Sequence, residues 1–195
     1  MTEKIYGGES GFGFKPDKLG EKSNNLKETI NIEKDNYVEL EKEKMEKNAV
    51  DKIVKAGKIA QELRKFAREL IKPGMKLIDI ANKIDDKIVE LGTKPGFPVN
   101  LSINEVAAHY TPGFNDDKIA HGLLKVDIGI HIDGYIADTA FTLDLQGSDE
   151  NKKLIEAAEA AVAASTGAFK LGAKLTDIGK RIAETIEKHG CSAVV

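Results

Sequence analysis

The segment LLKVDIGIHIDGYIADTAFTLDL, residues 123–145, reads as two strands joined by a tight turn. Apolar residues alternate with polar or small ones along it, the pattern of strands with one face toward a core. Asp133-Gly134 divides the two runs. That dipeptide tolerates the positive φ that a type I′ turn needs at both central positions. A two-residue turn there sets Ile132 opposite Tyr135 and, counting outward, Asp127 opposite Ala140. Asp138 then shares a sheet face with Asp127, on a diagonal of roughly 7–8 Å between backbones. Two carboxylates so placed suit divalent cations, and they equally suit the polar outer face of an ordinary hairpin. Spacing alone leaves both readings open. His131 has the same parity but adjoins the turn, and Asp133 and Asp144 read as structural.

Outward from the hairpin, GFPVNLSINEVAAHYTPGF (residues 96–114) is extended and turn-rich, with a candidate capping box at Ser102–Glu105. His109 in this run is a candidate catalytic residue or a satisfied loop histidine. Upstream, Val50, Ile53, Val54, Ala60, Leu63, Ala67, Leu70 and Ile71 fall at helical spacing before Pro73-Gly74. A second helix carries Leu77, Ile80, Ala81, Ile84, Ile88 and Leu91 and stops at Gly92. Downstream, a helix opens at Ser148 and runs through Leu154, Ile155, Ala158, Ala161 and Val162. Another is capped near Thr176 and carries Leu175, Ile178, Ile182 and Ile186 before Gly190. All these apolar stripes are expected to be core faces.

KPGMKLIDI (residues 72–80) and KLGAKLTDI (residues 170–178) match at a constant offset of 98, continuing ungapped to Gly92 and Gly190. The run is more specific than isoleucine at helical spacing and points to an internal duplication. In the first copy the helix is followed by the strands; in the second only CSAVV follows Gly190. The expectation is an α+β chain holding the first half of a two-part domain, with the second half truncated or supplied by another chain.

The chain has 195 residues, 41% hydrophobic and 31% charged, enough for one core and an extension. A net charge of −3 gives no reason to expect nucleic acid or an anionic membrane. The single cysteine, Cys191, rules out an internal disulfide or a cysteine-built zinc site. No apolar run approaches the roughly 18 residues of a span, and MTEKIYGGES lacks the apolar core of a signal peptide. A soluble cytoplasmic protein is expected. Residues 1–44 show little periodicity and mixed charge, and are expected to be a poorly ordered charged extension to a domain at 45–195. GGESGFGF, residues 7–14, has no strand before it and no Gly-Lys-Ser/Thr after it, so it does not read as a phosphate loop.

Together, GFPVNLSINEVAAHYTP and the Asp-x10-Asp hairpin resemble the methionine aminopeptidases, in particular the type 2 class of archaea and eukaryotes. The resemblance runs from about Met45 to Val195 and includes IKPGMKLIDIANKI. It implies a pita-bread (aminopeptidase/creatinase-type) fold, an antiparallel sheet with covering helices in two pseudo-twofold halves. It further implies two divalent metal ions (cobalt, manganese, iron or zinc) and removal of the N-terminal methionine from nascent polypeptides. By the same resemblance Asp127 and Asp138 match the first two metal-binding carboxylates. His109 matches the pocket histidine that meets the substrate near its scissile bond, and Phe97 and Pro98 match part of the methionine pocket. The family's remaining ligands, a histidine and two glutamates, come from the second half, so this chain alone is expected to be inactive. Rival readings are an inert pita-bread binding protein of the ribosome-associated type, one chain of a split peptidase, and a prolidase-type peptidase, which lacks the NEVAAHYTP element.

If residues 1–44 are dispensable to the fold, limited proteolysis followed by mass spectrometry will trim them and leave a core starting near Met45 with an unchanged melting temperature.

Overall fold

The computed structural model describes residues 47–193. The extension expected at residues 1–44 lies outside the described residues, as does the expected domain start at Met45. Helix α1 (Lys47–Leu70) and helix α2 (Leu77–Glu90) cover one face of a four-stranded antiparallel sheet. The sheet comprises β1 (Lys94–Pro95), β2 (Asn100–Ile103), β3 (Leu123–Ile132) and β4 (Tyr135–Asp144). Both β1 and β2 pair with β3 along one edge, and β4 pairs with it along the other. Helix α3 (Asp149–Thr166) and helix α4 (Leu175–Lys188) follow and pack on each other.

The hairpin has the expected register, with Asp127 opposite Ala140 and Gly129 opposite Asp138. Asp133 and Gly134 take φ values of 51° and 88°, as the turn chemistry requires. The His131 ring belongs to this turn: its Nδ1 accepts the Gly134 N–H at 3.1 Å. Lys52 of α1 fastens the turn from outside, its ammonium 3.0 Å from an Asp133 carboxylate oxygen. Leu124, Val126, Ile128 and Ile130 of β3 are fully buried beneath the helices, so the odd-numbered residues face away from the core.

Helix α1 departs from the expected stripe. Val50, Ile53 and Val54 are exposed, and the helix meets the sheet through Ala56, Ala60, Leu63 and Ala67. The bulkier residues lie off the line of contact, and alanines allow the helix a close approach. Helix α3 repeats the lesson. Leu154 and Val162 are exposed, while Ala157, Ala161 and Ser165 are buried. Its start is as expected: Ser148 caps it by accepting the Asn151 N–H, and Asp144 accepts the N–H groups of Gln146, Gly147 and Ser148. The capping box expected at Ser102–Glu105 does not form. Ser102 lies in β2, and its hydroxyl accepts the Tyr110 N–H at 3.2 Å.

The two matched segments also share backbone geometry. Helices α2 and α4 both have 14 residues, and both start after an extended lysine, Lys76 and Lys174. The α4 cap is therefore Lys174 and not a residue near Thr176, which falls inside the first turn. Gly74 and Gly172 share φ values of 84° and 81°, and Gly92 and Gly190 share 70° and 72°. Burial separates the copies. Helix α2 buries Leu77, Ile80, Ala81, Ile84 and Ile88 against the sheet, whereas α4 buries only Ile178. Among the described residues no helix is long and apolar enough to cross a membrane.

This asymmetry is measurable. Ile84→Ala should cost about 3 kcal/mol in urea unfolding, the usual range for a fully buried isoleucine. The equivalent Ile182→Ala, at a half-buried position, should cost less than half as much.

Candidate metal centre

The residues singled out from sequence converge. Phe97, Pro98, Asn100, His109, Asp127 and Asp138 line one open cavity of about 340 Å³ on the sheet face away from the helices. Strand parity brings Asp127 and Asp138 there, close enough for each carboxyl to act on the other. Burial, followed by the charge of Asp138, pushes the Asp127 carboxyl above the ordinary carboxylate range. The Asn100 side chain and the His109 ring act in the opposite sense, favouring the charged form. Lys125, on the same face, turns away from the carboxylates and donates to the Asn104 carbonyl at 2.6 Å.

Phe97 owes its seat to glycine. A Cβ on Gly129 would overlap the Phe97 ring, so only glycine at that position admits the ring against the sheet between the two aspartates. Gly96 completes the approach, donating its N–H to the Gly129 carbonyl at 2.8 Å. His109 reaches the cavity in a left-handed conformation, φ 65°, which is strained for a residue with a side chain. Tyr110, next to it, is held firmly. Its carbonyl accepts the Leu101 N–H at 2.7 Å, its hydroxyl bonds to Asp116, and the Lys118 ammonium lies 3.9 Å from its ring centre.

His121 lines a different cavity, and His189 bonds to the Thr185 carbonyl at the end of α4. Neither reaches the aspartates. A larger hollow of about 560 Å³ runs from Asp127 past Ala108 to Ile155 and Val162 of α3, without Phe97, His109 or Asp138. Asn100 and Thr111 were not foreseen. Thr111 donates its hydroxyl to Asn100 Oδ1 at 2.7 Å, and Asn100 lies directly opposite Asp127 in the β2–β3 pairing. Only that second register, which the hairpin count does not supply, could have revealed them.

A half-buried carboxylate, Asp127, and an exposed one, Asp138, held against their mutual repulsion fit a hard or borderline divalent cation. They supply only part of a coordination sphere, since among the described residues no three His, Cys, Asp or Glu side chains gather around one point.

A family model described as "Metallopeptidase family M24" matches residues 51–195. The chain belongs to metallopeptidase family M24. This M24 chain is 47% identical over 148 residues to a methionine aminopeptidase of Pyrococcus abyssi, covering 75% of this chain and 50% of that protein. It is 44% identical over 154 residues to one of Methanothermus fervidus, covering 72% and 82% respectively. In structure it is similar to methionine aminopeptidase from Thermotoga maritima, with a TM-score of 0.69 at 25% identity over 75% of this chain and 62% of that one. Prolidase from Pyrococcus furiosus shares the fold, with a TM-score of 0.63 at 22% identity over 74% and 44%. The M24 chain thus has part of the pita-bread architecture, and spans about half the length of the Pyrococcus relatives it matches.

The raised Asp127 carboxyl fixes the sign of a pH effect. Without metal, its ionised form is penalised in the fold above its folded titration range. That penalty is relieved as pH falls toward the ordinary carboxylate value, so this site stabilises the fold on acidification. Asp138→Asn, which removes the neighbouring charge, should raise the metal-free melting temperature at neutral pH and flatten this part of the pH–stability curve.

Proposed function

We propose that this chain carries the first two metal-binding carboxylates and part of the substrate pocket of a methionine aminopeptidase of the type 2 class. The observation that carries the reading is the convergence of Phe97, Pro98, His109, Asp127 and Asp138 on one cavity. Support comes also from the names of the archaeal relatives.

Asp127 and Asp138 would hold two divalent ions, of cobalt, manganese, iron or zinc, together with ligands from beyond the described donors. When bound, such a pair supplies a water of lowered pKa and polarises a scissile carbonyl. The chain's own residues do the rest. Phe97 and Pro98 form an apolar wall for the methionine side chain, a fit that discriminates by about 1–3 kcal/mol per methylene. Asn100 favours the ionised form of Asp127. His109, held over the cavity by its anchored loop, donates a hydrogen bond where charge develops on the substrate. The substrate is a polypeptide with an N-terminal methionine, met as a nascent chain in the cytoplasm.

The 195-residue polypeptide, assayed alone with Mn²⁺, should release no methionine from a Met-Ala-Ser peptide, because two carboxylates and one imidazole are too few donors. Adding the second half of a curated relative should restore release, and Asp138→Asn should abolish it. Turnover by the chain alone would show that the described donors suffice. A metal-loaded mixture that leaves the peptide intact would overturn the methionine reading.

A further inference from the structure

We propose that Thr111 is a positioning residue whose hydroxyl orients the Asn100 carboxamide so that its NH₂ group faces Asp127. The inference rests on the reading of Asp127 as a metal ligand. Asn100 is 9% exposed, sits directly across from Asp127 in the β2–β3 register and lines the same cavity. A carboxamide has a donor end and an acceptor end of nearly equal shape, and only its partners decide which way it points. An ionised carboxylate accepts and never donates, so a reversed Asn100 would set oxygen against oxygen. Asp127, which only accepts, sets the direction, and Thr111 holds the carboxamide in it. Its Oγ1 donates to Asn100 Oδ1 at 2.7 Å, which occupies the acceptor end and leaves the donor end for Asp127.

The same bond ties the histidine loop to the metal side of the sheet. Thr111 lies two residues beyond His109, and Tyr110 between them is pinned to β2 by its carbonyl on the Leu101 N–H and its N–H on the Ser102 hydroxyl. Those two bonds fix the height of the loop along β2. The Thr111–Asn100 bond is the one of the three that extends toward Asp127. Thr111 itself is exposed, so its methyl contributes little packing and the hydroxyl is what the position uses. Groups that hydrogen-bond to a metal ligand orient it, and losing one usually weakens metal binding by 10- to 100-fold.

The test compares Thr111→Val, which keeps the shape and removes the hydroxyl, with Thr111→Ser, which keeps the hydroxyl. Two quantities are read on the whole chain: Mn²⁺ affinity by electron paramagnetic resonance, and the Asn100 side-chain NH₂ resonances of the metal-free protein. Thr111→Val should lower Mn²⁺ affinity about tenfold and move the NH₂ pair toward free-carboxamide positions, while Thr111→Ser stays within about twofold of the parent. Circular dichroism should be unchanged in both. If Thr111→Val leaves both the resonances and the affinity unchanged, the proposal is overturned. Asp127→Asn serves as the separate control. Unchanged Mn²⁺ affinity in that variant removes the ligand reading, while the metal-free Asn100 resonances still decide whether Thr111 orients the amide.

Discussion

A β-strand sends alternate side chains to opposite faces, and a single two-residue turn sets that alternation for both strands it joins. In this chain the turn is Asp133-Gly134, and everything of chemical interest depends on it. Even-numbered residues of β3 go under the helices, where Leu124, Val126, Ile128 and Ile130 are fully buried. Odd-numbered residues face the other way, Asp127 into the cavity, and the partner strand delivers Asp138 to the same side. A slip of one residue would bury a carboxylate and expose an isoleucine in the same movement. Lys52, bonded to Asp133, guards the turn from the helix layer.

The second constraint is close approach. The Phe97 ring occupies the space that a side chain at position 129 would take, which brings an apolar wall to within reach of both aspartates. His109 is brought in by a different device, a left-handed residue whose strain is offset by the bonds around Tyr110 and Thr111. The apolar group is seated by an absence of side chain, and the polar group by hydrogen bonds. Both are settled before any ligand arrives, the condition under which bound geometry costs least.

What could be read from the sequence was what local chemistry decides. The hairpin, its register and the shared face of Asp127 and Asp138 follow from one dipeptide and the period of two. The match at an offset of 98 was legible because the same glycines and lysines stop and start a 14-residue helix twice. Burial was less so: Val50, Ile53 and Val54 look like core residues and are not, because the approach of α1 to the sheet selects a line of alanines. Ser102 was read as a cap, although its hydroxyl serves a residue eight positions away. The placement of Asn100 beside Asp127 depends on a pairing between β2 and β3 that crosses 19 intervening residues (residues 104–122). No short-range rule reaches that far.

The division of β3 into a packed face and a wet face makes folding indifferent to chemistry. The buried isoleucines keep the hairpin in place whatever stands at the two carboxylate positions, and those carboxylates repel each other when no cation lies between them. A variant that lost both would shed that repulsion and keep the packed face unchanged. Stability therefore cannot account for the paired carboxylates; only a role for them in chemistry can. In this strand the residues that hold the fold and the residues that offer chemistry are different sets, separated by the sheet itself.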